Sequence, residues 1–182
     1  MIAETLHTPH LTLIPGSAKH VRGELEGRAP FAALLGAAVP ESWPPGEYDE
    51  AAQRFFLARL LAAGSEGTGW YGWYAIRNAE GVVPSTVVAI AGYYGPPSTE
   101  GVIEIGYSVC PEWRGKGFAT EFVRALTEHA LREGGVTRIL AHAFAANPAS
   151  VRVLERCGYT RLGPGTEPGV FRFAYAPGAL DG

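Results

Sequence analysis

Val109-Cys-Pro-Glu-Trp-Arg-Gly-Lys-Gly-Phe-Ala119 is the stretch that decides the fold. Ahead of it, Gly101 to Cys110 alternates like a strand. Behind it, Ala119, Phe122, Val123, Leu126 and Ala130 recur at three- and four-residue steps, with Glu121, Arg124, Glu128 and Arg132 between them, which predicts an amphipathic helix from Lys116 to about Glu133. A strand, a glycine turn and a helix in that order leave backbone N–H groups at Gly115, Lys116, Gly117, Phe118 and Ala119 without intrahelical partners. With the helix dipole behind them, such amides can cradle a phosphate or pyrophosphate. Arg114 and Lys116 add positive charge, and glycine at 115 and 117 keeps side chains from standing between amide and ligand. The same residues also read as an ordinary helix-initiating turn. A triphosphate-binding loop would need Ser or Thr after Lys116, where Gly117 stands, and a dinucleotide fingerprint would need glycine where Thr120 stands.

Working outward, Leu11 to Ile14 reads as a first strand stopped by Pro15-Gly16, with Ser17 capping a helix to about Gly27. Phe31 to Val39 reads as a short apolar helix, and the prolines of Glu41 to Tyr48 demand a loop. Asp49 caps a further helix over Ala51 to Ala63. Strands Trp70 to Arg77, Thr86 to Tyr93 and Gly101 to Cys110 form an antiparallel meander. After the long helix come a strand Thr137 to Ala143, a short helix from Asn147-Pro148 to before Gly158, and a hairpin of Tyr159 to Leu162 with Val170 to Tyr175. This order predicts an α/β (α+β) fold with a mostly antiparallel sheet, as one domain over residues 1–182.

Composition narrows the function. With 47% hydrophobic and 18% charged residues the chain reads as a soluble globular protein, and a formal charge of −3 offers no basic face for nucleic acid. Met1 to Leu11 has no secretory pattern and Ala29 to Pro40 is too short to span a bilayer, so a cytoplasmic location without membrane contact is expected. Cys110 and Cys157 lack the spacing of a metal site or disulfide framework and read as free thiols; no metal is expected.

Arg114-Gly-Lys-Gly117-Phe-Ala119 resembles the Arg/Gln-x-x-Gly-x-Gly/Ala acyl-CoA loop of the GNAT N-acetyltransferase superfamily, and the order of elements from Leu11 to Tyr175 is similar to that fold. Asn147-Pro-Ala-Ser150-Val-Arg-Val-Leu154-Glu-Arg-Cys-Gly158-Tyr159 resembles the Asn-x-x-Ser…Gly-Phe/Tyr segment of the Rim-type branch, which acetylates ribosomal-protein N-termini. The resemblance is weakest from Gly36 to Glu80. It implies acetyl-CoA as co-substrate, with its pyrophosphate on the loop amides and its pantetheine arm between the strands Gly101 to Cys110 and Thr137 to Ala143, splayed by a bulge for which Gly106 is the candidate. It also implies that the Val109 N–H polarises the thioester carbonyl.

Direct transfer to an amine requires a base for the ammonium proton and a donor for the departing thiolate. Glu104 is the expected base: strand alternation puts it with the small Gly106 and Ser108, while Ile103, Ile105 and Tyr107 face the other way. A solvated sheet carboxylate is the competing reading. The resemblance points to Ser150 as the acid, with Asn147 orienting the cofactor arm or a water. Local chemistry alone makes Asn147 and Pro148 a helix cap and first turn. Tyr107 is the alternative donor, although its parity sets it opposite Glu104 unless a bulge intervenes. Nothing next to Cys110 would activate it for a covalent step.

For the acceptor, Glu41, Trp43, Glu47, Tyr48, Asp49 and Glu50 read either as an acidic, aromatic lid suited to a cationic amine or as a loop pinned to the core. Trp70, Tyr71, Trp73 and Tyr74 offer aromatics to both faces of one strand, one face core and the other a wall of the acceptor cleft or a homodimer contact. Gly163 to Gly169 sits where related enzymes vary substrate contacts. A protein N-terminus, a polyamine and an aminoglycoside all present the required amine, and a non-catalytic acyl-CoA-binding module is the rival outside enzymes.

Overall fold

A computed structural model of the protein describes residues 4–177, so the ends of the expected 1–182 domain, and Met1 to Ala3 of the segment read for targeting, lie outside the described residues. Its centre is an eight-stranded sheet flanked by helices. In chain order the elements are β1 (Leu6–His7), β2 (Leu11–Pro15), α1 (Ala18–Glu26), α2 (Arg28–Leu35), α3 (Glu50–Ala63), β3 (Gly72–Arg77), β4 (Thr86–Tyr93), β5 (Val102–Val109), α4 (Phe118–Arg132), β6 (Arg138–Phe144), α5 (Pro148–Arg156), β7 (Thr160–Pro164) and β8 (Val170–Tyr175). The strands lie in the order β1-β2-β3-β4-β5-β6-β8-β7, antiparallel throughout except for the parallel β5–β6 pair. The α/β expectation holds, with β1 as an addition too short to be read from periodicity.

Local chemistry sets the ends of the helices. The Ser17 side chain accepts from the His20 N–H, and Asp49 accepts from Ala52, so α1 and α3 begin where a capping side chain satisfies a free donor. The long helix starts at Phe118, two residues later than its apolar spacing suggested, because Gly117 takes a left-handed φ of 86° that a helix cannot contain. Lys116 therefore belongs to the loop, with its ammonium 5.1 Å from the centre of the Trp113 ring.

The two faces of the sheet are covered unequally. On one face α4 and α5 bury Phe122, Val123, Leu126, Ala130 and Leu154 against Leu13, Trp73, Tyr93, Ile103, Ile105, Ile139 and Phe173. On the other, Phe31 and Leu35 of α2 join Trp43 and Tyr48 over Tyr74, Ile76, Val87 and Ile90, which belong to β3 and β4. β4 is consequently buried along all eight residues. β6 is not: Ile139, Ala141 and Ala143 are buried, while Leu140 and His142 are half-exposed on the face that this second cluster does not reach.

Two expectations about aromatics are corrected here. Trp73 and Tyr74 point to opposite faces and both are core, with Trp73 Nε1 donating to the Gly69 carbonyl, so neither face of this strand walls an acceptor cleft or offers a dimer contact. The lid reading of Trp43 and Tyr48 fails as well, since both are buried. They are held by Glu24 of α1, whose carboxylate accepts from Trp43 Nε1 (2.9 Å), Tyr48 Oη (2.8 Å), Tyr74 Oη (2.6 Å) and Gln53 Nε2 (3.3 Å). Burial pushes the Glu24 carboxyl above its ordinary value, against the opposing pull of these four hydrogen bonds. Between the two pinned aromatics, Gly46 and Glu47 remain free to face a cleft.

Candidate active site

β5 and β6 are paired only from Val102↔Arg138 to Ile105↔Ala141. Beyond that point each strand keeps its outer neighbour alone, β5 running beside β4 to Val109 and β6 beside β8 to Phe144. A cleft of about 930 Å³ passes through the sheet at this parting. The bulge expected at Gly106 is absent, because β4 and β5 stay in one register from Tyr93↔Ile105 to Ala89↔Val109. The irregularity lies one strand further, where β4 carries an extra residue, Val88, opposite β3. The Tyr94 ring instead lies over Gly106, where a Cβ would stand 2.6 Å from the Tyr94 hydroxyl oxygen.

Register also orients the backbone. The Tyr94 N–H donates to the Glu104 carbonyl and the Cys110 N–H to the Val88 carbonyl, so even-numbered residues of β5 bond toward β4. Ile105, Tyr107 and Val109 address the opposite side, where β6 is still paired at Ile105 and has parted by Tyr107 and Val109. The Val109 carbonyl on that side accepts from Arg114 Nε at 3.0 Å, and the Val109 N–H faces the gap between the strands.

At one end of the cleft the loop into α4 presents its amides. Gly117 is the N-cap without any side-chain cap, and the first bond of α4 runs from the Glu121 N–H to the Gly117 carbonyl, which leaves the Phe118, Ala119 and Thr120 N–H groups without helical partners. Gly115 (φ 73°) and Gly117 (φ 86°) are both left-handed, and a Cβ built on either would meet nothing within 4 Å. That open space over unpartnered amides is the shape an anionic group fills, and Arg114, Lys116, Arg152 and Arg156 line the same cleft. Arg152 and Arg156 were not singled out from sequence, although their four-residue spacing on α5 puts them on one helical face.

On the sheet face away from α4, Glu104 and His142 meet. His142 Nδ1 lies 2.9 Å from Glu104 Oε1, and both side chains are partly exposed to the cleft. His142 is the main residue that sequence reading passed over; parallel pairing of Glu104 with Leu140 puts the next same-face residue of β6 within reach, and that register is tertiary information. Glu47 from the pinned loop, Tyr94, and Thr166 and Glu167 from the β7–β8 loop complete this end.

Tyr107 lies on the opposite face from Glu104, as alternation required, and packs edge-on to Phe122 with 5.8 Å between ring centres. No bulge brings the two together. They line one cleft because the cleft traverses the sheet. Tyr107 Oη is 2.8 Å from Ser150 Oγ and 3.1 Å from the Ser150 carbonyl, so the two residues considered separately as proton donors form one hydrogen-bonded unit. Burial pushes the Tyr107 phenol up to about 12, which keeps it protonated. Asn147 lines the cleft while its Oδ1 accepts from the Ser150 N–H at 3.2 Å, so its capping role is real and it fixes Ser150 in place. Cys110 is fully buried and its thiol is pushed up to about 11 by that burial, unlike the thiolate a covalent step needs.

A family model described as an acetyltransferase (GNAT) domain matches residues 26–160. The chain belongs to the GNAT acetyltransferase family. It is an acetyl-CoA-dependent N-acetyltransferase, and the cradle before α4 fits that co-substrate's diphosphate. Among relatives of this GNAT protein, an uncharacterized N-acetyltransferase, YjdG, of Bacillus subtilis is 29% identical over 126 residues, 69% of this chain and 71% of that one. Solved structures of other acetyltransferases share the fold. The ribosomal L7/L12 α-N-protein acetyltransferase RimL, in complex with coenzyme A, superposes with a TM-score of 0.65 at 19% identity, covering 95% of this chain and 98% of that one. The aminoglycoside acetyltransferase AAC(6′)-Ib, also with coenzyme A, gives 0.61 at 23% identity over 94% of this chain and 97% of that one. Among the described residues no helix is long and apolar enough to cross a membrane.

Proposed function

We propose that this acetyltransferase acylates the free amino terminus of a peptide or protein by direct transfer, with Glu104 as the base and Tyr107 as the acid. The observation that carries the reading is the Glu104–His142 pair, with its two side chains 2.9 Å apart, at the gap where β5 and β6 part. Acetyl-CoA supplies the thioester carbonyl and a thiolate leaving group. Arg114, Lys116 and the amides of Gly117, Phe118 and Ala119 hold its diphosphate, and the Val109 N–H supplies a donor to the carbonyl oxygen. Glu104 takes the ammonium proton, directly or through a water, and His142 holds the carboxylate oriented toward the gap. The free amine attacks the thioester carbon, the C–S bond breaks as the Tyr107 hydroxyl gives its proton to the sulfur, and the second proton shed by the acetylated nitrogen returns to Tyr107, directly or through a water; Ser150 Oγ, fixed by Asn147, hydrogen-bonds to that hydroxyl and steadies it.

The peptide is favoured over a small amine by the shape of the acceptor side. A second groove of about 550 Å³ leads away from Glu104 and Tyr94 across the uncovered face of β5, β6 and β8, with room for an extended chain. The experiment is a thiol-release assay of wild type and Glu104→Gln against short peptides, a polyamine and an aminoglycoside, beside calorimetric titration with acetyl-CoA. Loss of about 10²- to 10⁴-fold in kcat/KM on peptides with unchanged acetyl-CoA affinity is expected. Equal turnover by the variant overturns the base assignment, and release only with a non-peptide amine overturns the acceptor.

A further inference from the structure

The groove that leaves the active site is not neutral. Glu104, His142 and Arg172 stand in a row on one face of three adjacent strands: Glu104 bonds to His142, and His142 is paired in register with Arg172 of β8. Arg172 lines the second groove together with Arg138, Leu140, Leu162, Tyr94 and Glu100. Among the described residues neither Arg172 nor Arg138 forms an ion pair, whereas Arg28, Arg54 and Arg77 each have a carboxylate within 4 Å. Glu100 lines the groove at its Arg138 end, whereas Arg172 stands in register with His142 at the end where the strands part, so Arg172 is the arginine placed for a ligand that enters from the gap. Beside it, Leu140 and the half-exposed Leu162 give an apolar floor.

Resting on the peptide reading above, we propose that the acceptor is an amino terminus followed within a few residues by an acidic side chain, whose carboxylate is bound by Arg172. The row sets the spacing. Strands lie about 4.8 Å apart, and Glu104 pairs with Leu140 while Arg172 pairs with His142 two residues further along β6, so Arg172 stands roughly 12 Å from Glu104, the reach of about four residues of extended chain at about 3.3 Å each. The arrangement also excludes. A polycationic aminoglycoside or polyamine would satisfy Glu47, Glu104 and Glu167 at the amine end but would set a further positive charge against Arg172.

The test uses hexapeptides with a free N-terminal alanine that differ only by Asp, Asn or Lys at the second, third or fourth position, with wild type, Arg172→Ala, Arg172→Lys and Arg172→Glu. For wild type, kcat/KM at the best position should be roughly three- to tenfold higher for Asp than for Asn, and lower still for Lys, carried mainly by KM. Arg172→Ala should erase this order, Arg172→Lys keep part of it, and Arg172→Glu reverse it. Added salt should shrink the wild-type preference. Should Arg172→Glu not fold, as judged by its acetyl-CoA titration, the Ala variant and the salt series decide alone. Peptides acetylated without regard to charge would overturn this proposal and leave the peptide reading standing. If every peptide is inert while a small amine is acetylated, both fall.

Discussion

Glu24 is half-buried at the edge of the second core and carries four donors on two oxygens: the Trp43 indole, the Tyr48 and Tyr74 hydroxyls and the Gln53 amide. Glu24→Ala removes the acceptor that these groups share. Each buried donor left unsatisfied costs about 1–3 kcal/mol, and Trp43, Tyr48 and Tyr74 are all buried, so with partial relaxation the loss should be about 3–6 kcal/mol. Set against a total stability of about 5–15 kcal/mol, this is large enough to bring the variant near unfolding. Glu24→Gln should cost far less, about 1–2 kcal/mol, because its carbonyl still accepts and a tyrosine hydroxyl can turn to accept from the new amide. The sign with pH follows from burial. The Glu24 carboxyl is raised in the folded state, so its contribution is fullest below the ordinary value of 4.5 and is lost as pH rises through the folded value. The deficit of Glu24→Gln should therefore narrow from acid to neutral pH. Urea unfolding followed by tryptophan fluorescence across that range measures all three quantities. Because Gly46 and Glu47 lie between the two anchors, hydrogen exchange should also speed up over residues 41–49 in both variants, ahead of the rest of the fold. Stabilities of both variants within about 0.5 kcal/mol of wild type would refute the account of this loop as pinned by one carboxylate.

Tyr107→Phe removes the proposed acid and its bond to Ser150; kcat should fall at least about tenfold with little change in acetyl-CoA affinity, measured by steady-state kinetics and calorimetry. Since the phenol is pushed up to about 12 and is a donor only while protonated, the wild-type kcat profile should show no alkaline loss from Tyr107 below that value. Gly117→Val puts a branched side chain at a left-handed φ of 86° and into the empty space above the α4 amides, so acetyl-CoA affinity should drop tenfold or more. The melting temperature should fall by only a few degrees, which separates a blocked cradle from a broken fold.

Much of this molecule is legible along the chain because its signals are local. The caps Ser17, Asp49 and Asn147 and the apolar spacing of Phe122, Val123, Leu126 and Ala130 each act within one helical turn, and the helices form where those residues predict, α4 alone starting two residues late at the left-handed Gly117. The family motifs lie on the same short stretches. What the sequence does not carry is pairing across strands. Whether Tyr107 and Glu104 can serve one site depends on β5 and β6 parting after Ile105 and Ala141, an event fixed by which outer neighbour holds each strand. His142 becomes a partner of Glu104 only through the parallel register, 38 positions away in the chain. Arg172 joins that row only because β8 inserts between β6 and β7. Trp43 and Tyr48, whose composition suits a lid as well as an anchor, are settled as anchors by Glu24, an unremarkable helix residue until three other elements close around it. Periodicity and capping fix where each element begins and which face it buries; the contacts between distant segments, whose energies exist only once the chain has closed on itself, decide which side chains share a site.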